Sequence, residues 1–258
     1  MTRARVACGL LAAGLLISAC GSGGGGGGEA GKSADQVLAD AVAAMKSLHS
    51  LHIDAHETAS ASSASQFSNL GFSVDVAAAD SAQGTVTANG VTAAFVFSGG
   101  KLYFKGRAFF AKLASAALAQ VIGDRWVIVP SSSGIQDIEQ LVNPGTLGDC
   151  LNLDHGTLSK GGTATVDGQA TVVLIDRGEK PGTQPAKLYV AADGTAYLLR
   201  RDLTGKATPG NPPGGPRCGS SNSDNPDTGV MTFSQFNASF TVGVPKDAVD
   251  LQSLMGGG

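Results

Sequence analysis

Charged side chains are scarce in this chain. Asp, Glu, Lys and Arg make up only 15% of its 258 residues, and the formal net charge is −3. Nucleic-acid binding needs a basic stripe, and so weak and acidic a balance excludes it as an expectation. Tryptophan occurs once and histidine four times, too few to suggest a histidine-based metal centre or a nucleophile–base pair. Four cysteines are too sparse for a disulfide-dense scaffold. No apolar run reaches the about 20 residues that a membrane-spanning helix requires. What the chain does have is glycine, 37 residues of it, and ten phenylalanines against three tyrosines. That is a turn-rich composition with a strictly apolar choice of aromatic.

The N-terminus has the order of an export signal. Arg3 and Arg5 precede a short uncharged segment, Val6 to Leu16, and small residues follow before Cys20. Leu16-Ile17-Ser18-Ala19-Cys20 resembles a bacterial lipobox, in which the thiol receives a diacylglyceryl group and the signal is cut before the cysteine. Residues 1–19 are therefore expected to be a signal peptide, and residues 20–32 a lipidated Cys20 with a Gly-rich tether. Residues 33–254 are expected to form one domain, held at the outer face of the cell membrane. The glycines 23 to 28 are no phosphate loop, because no strand precedes them and no Gly-Lys-Ser/Thr step follows. Cys8 would leave with the signal, so Cys150 and Cys218 remain. In an oxidising compartment they are expected to pair, closing a loop of about 70 residues worth very roughly 4 kcal/mol in the chain-entropy picture. The competing expectation is a reactive thiol at Cys150, near Asp154 and His155.

Ser33 with Gln36 three residues on is a capping box, and Val37, Leu38, Val42, Met45 and Leu48 recur at helical spacing after it. From Leu51 the period becomes two. Strands are expected at 51–56, 72–78, 84–88, 91–97 and 101–105, with Asn89-Gly90 and Gly99-Gly100 as hairpin turns. Within the last of these strands, Leu102 and Phe104 point inward, while Lys101, Tyr103 and Lys105 point outward. Residues 108–122 read as a helix that is apolar nearly all round, fit to be buried or to roof an apolar space. A short strand at 125–129 stops at Pro130, and a helical piece follows at 135–142. Strands return at 163–166, 170–176, 186–190, 197–203 and 230–242, with turns at Asp167-Gly168 and Asp193-Gly194. Residues 208–227 read as a long exposed loop pinned by Cys218.

This order resembles the LolA/LolB-like carrier fold, and in particular actinobacterial lipoproteins of the LppX/LprG type. The residues that carry the likeness are Lys101-Leu102-Tyr103-Phe104-Lys105-Gly106, Phe109-Phe110, and Asp124-Arg125-Trp126-Val127-Ile128-Val129-Pro130. Downstream they are Ala186-Lys187-Leu188-Tyr189-Val190, Asp193-Gly194, and Phe233-Ser234-Gln235-Phe236-Asn237. The likeness implies an α+β fold: a strongly curved antiparallel half-barrel with helices over its concave apolar face, enclosing acyl chains. The loop bearing Cys218 departs from that pattern, and no fixed set of lipid contacts can be carried over.

Periodicity alone then proposes the cavity wall: Phe95, Phe97, Leu102, Phe104, Phe109, Phe110, Leu113, Val173 and Ile175. An acyl chain gains about 0.8 kcal/mol per CH₂ removed from water. The expected ligand is a glycolipid or phospholipid held by its acyl chains, with an envelope transporter or acceptor protein as a further partner. No cofactor, metal or catalytic residue is expected. In an extended segment His52 and His56 sit about 13 Å apart, too far to share one zinc. Asp137 and Glu139, two apart on a helix, do not face each other, and Ser131–Ser133 lack the setting of a hydrolase elbow. An anchored protein-docking module with a filled core is the alternative, and a hydrolase the third. Replacement Cys20→Ala should release the protein to the medium or leave it uncleaved. Membrane retention of a correctly cleaved variant would rule out the lipid anchor.

Overall fold

The computed structural model describes residues 28–58, 69–78, 80–129, 142–218 and 228–255. Cys20, residues 135–141 of the helical piece proposed at 135–142, and the loop from 219 to 227 lie outside them. Twelve strands form one curved, unclosed sheet in the order β12-β6-β5-β4-β3-β2-β1-β11-β10-β9-β8-β7. In chain order these are β1 Leu51–Thr58, β2 Asn69–Ala78, β3 Ser81–Ala88, β4 Val91–Ser98, β5 Lys101–Lys105, β6 Val127–Val129, β7 Leu158–Val166, β8 Gln169–Asp176, β9 Ala186–Ala191, β10 Leu198–Leu203, β11 Thr228–Ser234 and β12 Val249–Asp250. Every pairing is antiparallel except β12 with β6. The helices are α1 Ala34–Lys46, α2 Arg107–Leu113, α3 Ala116–Ile122, α4 Pro144–Leu153 and α5 Leu251–Met255. The architecture is the α+β half-barrel expected.

Helix α1 defines the inside of the sheet. Its capping box is present as the sequence predicts, with the Ser33 hydroxyl accepting from the Gln36 N–H and the Gln36 side chain accepting from the Ser33 N–H. Val37, Leu38, Ala41 and Met45 are buried in one cluster with Leu51, Ile53, Val74, Val76, Phe95, Phe97, Leu102, Val172, Leu174, Leu188 and Val190. Helix α4 lies against α1. Asn143 caps it, Pro144 occupies its first turn, and Gly148 permits the close approach, since a Cβ there would sit 2.4 Å from the Lys46 side chain. The disulfide Cys150–Cys218 forms, with 5.1 Å between Cα atoms. It ties α4 to the chain ahead of β11 and removes the reactive-thiol expectation.

Four expectations are corrected. Val173 and Ile175 do not face the interior. In β8 it is Val172 and Leu174 that join the core, and Ile175 on the opposite face is 37% exposed. A strand buried through Thr171 to Leu174 shows no alternation from which to choose a face. The helix proposed over residues 108–122 is two helices. The backbone turns at Ala114, and Ser115 caps α3 by accepting from the Leu118 N–H. Val121 is 50% exposed, so α3 is not buried all round. Strand β11 ends at Ser234, well short of 242, because Gln235 and Asn237 take left-handed φ angles of 51° and 58° and turn the chain away. Finally, Tyr103 occupies the outer face as expected yet is buried, beside Val96 and Ile128 in the ladder. Sequence patterning also missed α4 and the first half of β7.

The hairpins at Asn89-Gly90, Gly99-Gly100 and Asp167-Gly168 have positive φ at both turn residues where the sequence placed them. If the assigned faces of β8 are right, Leu174→Ala should cost about 2–5 kcal/mol by cavity formation. Ile175→Ala should cost well under about 1 kcal/mol. Chemical denaturation of the two variants measures this, and comparable losses would contradict the assignment.

Candidate functional site

The inward face divides into three zones. Under α1 the described side chains are buried in one cluster, and Phe95, Phe97 and Leu102, proposed as cavity wall, belong to that core. Toward β6 a smaller cluster joins Phe110, Ala119, Ile122, Val127 and Leu251, with Phe104 and Val129 against it. An aromatic run connects the two clusters. Phe95 meets Phe104, Phe104 stacks on Phe109, and Phe109 meets Phe110 edge-on, each with ring centroids 6.1 Å apart. These proposed wall residues are thus brought together. Leu113 lies in α2, but its side chain is outside what the structure describes. The Arg125 guanidinium donates to the Ile122 carbonyl at 3.0 Å and to the Val121 carbonyl, closing the end of α3.

The third zone lies toward the Thr58, Asn69, Leu203 and Thr228 ends of β1, β2, β10 and β11. Here the inward side chains Leu70, Phe72, Leu203 and Met231 are only partly buried. A small cleft of about 50 Å³, partly open to solvent, is lined by Glu57, Arg201, Leu203, Gly229, Val230 and Met231. Strand register explains why charges stand on an otherwise apolar face. Glu57 pairs with Gly229, Gly229 with Leu203, Leu203 with Ala186 and Ala186 with Asp176. These residues form one row across five strands. Arg201 sits one step away on β10, between inward-facing Met231 and Leu188.

A bulge decides which arginine enters. Register shifts between Leu198 and Arg200 against β9, so Leu198 faces the core while Arg200 stays outside. There Arg200 lies 5.5 Å over the Tyr189 ring and donates to Asp202 at 2.5 and 3.1 Å. Arg201 is thereby turned inward. Its Nε is enclosed and has no hydrogen-bond partner among the described residues. Burial lowers its pKa from the ordinary value, and the fields of Asp176, Asp154 and Glu57 oppose that shift. Glu57 is displaced upward by burial, with Arg201 pulling the other way. Asp154, at the end of α4, is likewise raised by burial, against a hydrogen bond from the Gly214 N–H and the field of Arg201. That bond is 2.8 Å and engages Oδ1, while Oδ2 is enclosed without a partner. Asp176 is different, because it accepts from the Gly156 and Gly178 N–H groups at 2.8 and 2.9 Å.

Sequence reasoning missed this constellation. One signal was available: adjacent Arg200 and Arg201 in a strand put one guanidinium on each face, so one of the two must point at the interior. Cys150, Asp154 and Cys218 offer ligand atoms within 4.8 Å of one another, but both sulfurs are committed to the disulfide, which leaves a lone carboxylate and no metal site. On the outer face, His52 bridges Asp75 at 2.7 Å and Asp54 at 2.9 Å. Partial burial lowers its pKa, but the two carboxylates outweigh this and the net shift is upward.

Comparison with solved structures bears on this geometry. LprF from Mycobacterium bovis superposes with a TM-score of 0.55 at 19% identity, over 82% of this chain and 96% of that one. The lipoprotein LppX from Mycobacterium tuberculosis superposes with a TM-score of 0.50 at 20% identity, over 81% and 98%. The fold is that of LprF and LppX. The resemblance drawn from sequence therefore holds at the level of architecture. No family model matches the sequence, and no curated protein does.

The upward shift of Glu57 makes a prediction with a definite sign. An acid whose folded pKa exceeds its unfolded value binds more protons when folded, so its contribution favours the fold at low pH and is lost as pH rises through the folded pKa. Glu57→Gln should therefore raise the melting temperature at pH 8, with the gain shrinking toward pH 4. A gain that instead grows on acidification would contradict a buried, unpaired Glu57.

Proposed function

We propose that this chain is an exported envelope lipoprotein, anchored through lipid on Cys20, whose half-barrel holds the acyl part of a lipid for carriage or display. The observation that carries the reading is the third zone of the inward face. Leu70, Phe72, Leu203 and Met231 all point into the half-barrel and are only partly buried, with Phe72, Leu203 and Met231 at the edge of the main core. Apolar side chains on the concave side of a curved sheet, left partly open, are a surface on which a hydrocarbon chain gains free energy with each methylene dehydrated. The shared fold with LprF and the lipoprotein LppX supports the same reading, as does the lipobox-like stretch at residues 16–20. Binding needs no reaction, and no catalytic residue is assigned.

The packed state of Phe95, Phe97 and Leu102 moves the proposed ligand surface away from the core and toward the open ends of β1, β2, β10 and β11. It also favours, for the half under α1, the alternative of a filled core. The two readings separate on one measurement. The full chain carrying Cys20→Ser, purified without its anchor, should bind a polyene fatty-acid probe with a rise in fluorescence. Phe72→Lys should weaken that binding more than about tenfold, because the ligand would then bury an unpaired charge. Ile175→Lys on the outer face should leave it unchanged. A wild-type chain that binds no probe, or two variants that bind alike, would favour a docking module over a carrier.

A further inference from the structure

The inward-facing charges have no role in holding an acyl chain, and a buried ion without a partner is costly. Arg201 Nε is enclosed and unbonded, and Asp154 Oδ2 is enclosed and unbonded. Among the described residues, neither the Arg201 guanidinium nor the Glu57 carboxyl makes a hydrogen bond or close ion pair. The arrangement is nonetheless built. The β10 bulge turns Arg201 in. The Cys150–Cys218 disulfide and the Gly214 N–H fix Asp154. Gly229, opposite Glu57, leaves the floor open, since a Cβ there would lie 3.1 Å from the Glu57 side chain. Arg201, Glu57 and Gly229 line the cleft together with Leu203 and Met231.

The free groups specify what would satisfy them. A phosphate or carboxylate would suit Arg201 but face Glu57, Asp154 and Asp176. An ammonium would suit the carboxylates but face the guanidinium. An ester carbonyl accepts and cannot donate. Only an uncharged group that both accepts and donates completes the set, and a pair of neighbouring hydroxyls does so. We propose that the cleft lined by Arg201 and Glu57 is a polar subsite that takes the uncharged vicinal diol of a glycerol-type lipid head, with its acyl chain laid along Phe72 and Met231. The proposal rests on the acyl-binding reading above. The site fixes ligand polarity from inside the half-barrel: one hydroxyl accepts from the Arg201 guanidinium and its neighbour donates to the Glu57 carboxyl, with Asp154 contributing only its field.

The test is displacement of the polyene probe from the Cys20→Ser full chain by three oleoyl compounds of equal chain length: 1-monooleoylglycerol, methyl oleate and oleate. Monooleoylglycerol should displace the probe at a concentration at least tenfold below either of the others. Arg201→Met should bring the three within about threefold. Glu57→Leu should do the same by removing a carboxylate, and serves where the Met variant does not fold. Equal displacement by all three in the wild type would overturn the subsite while leaving acyl carriage standing. Preference for oleate would overturn it in favour of an anion site. Displacement by none of them, with no probe bound, would overturn the subsite together with the carrier reading beneath it.

Discussion

The seating of α1 against the sheet is the contact on which the rest of the molecule depends. Val37, Leu38, Ala41 and Met45 interlock with Leu51, Ile53, Val74, Leu174, Leu188 and Val190, and burying each large side chain contributes about 1.5–3 kcal/mol. Because alternate residues of a strand take opposite faces, that one packing event assigns every other side chain in the sheet to inside or outside. Polar residues such as His52, Asp54 and Asp75 go to the outer face, where they bridge one another. Toward the far ends of β1, β2, β10 and β11 the same assignment continues with inward side chains that are only partly buried. Leu51 and Ile53 of β1 lie in the core that α1 joins, whereas Glu57, further along the same face, lines the cleft.

The same assignment of faces governs charge inside the half-barrel. A parity set only by hydrophobic burial would put Arg200 inside and Arg201 outside, continuing from Leu198. The bulge reverses them. Arg200 gains Asp202 and the Tyr189 ring on the outer face, while Arg201 is delivered among apolar neighbours with three carboxylates at a distance. The disulfide acts on the same place from another direction. By pinning Cys218 to α4 it brings Gly214 to Asp154, so a link expected from sequence as a stabiliser also holds a carboxylate whose field acts on Arg201.

Much of the fold was legible because its signals are local. The capping box at Ser33, the period of α1 and the Asn-Gly, Gly-Gly and Asp-Gly turns each act over a few residues, and each is where the sequence placed it. The failures share a different physics. Val172 to Leu174 are buried on both faces, so nothing local distinguishes the inward pair, and Val173 and Ile175 were assigned to the wrong side. The alternation of residues 236–242 imitated a strand, but left-handed Gln235 and Asn237 had already turned the chain. There Phe236 stacks on Tyr197 with ring centroids 4.2 Å apart, a tertiary contact rather than a ladder position. The Arg201 site was illegible for a third reason, since a bulge is settled by how two strands fit together.

The segment leading into α1 carries a consequence of its own. Glu29 is buried and its N–H bonds to the Ala192 carbonyl at 3.0 Å, while Lys32 reaches both Glu29 and Asp40 at 2.7 Å. Lys160 on β7 donates to the carbonyls of Ala30 and Lys32. The chain therefore leaves the body at a fixed point, just past the Ala191 end of β9, whereas the Arg201 cleft lies beside the Ala186 end. The two ends are about 17 Å apart. For a chain anchored at Cys20 as proposed, only the glycine-rich sequence between Cys20 and Glu29 would separate the anchor from this fixed point. On the proposed reading such a molecule would have a polarity, with its attachment and its cleft toward opposite ends of β9. A lipid leaving the cleft would then meet water, or another protein, before the membrane that holds the domain, and loading from that same membrane would require the whole domain to turn over.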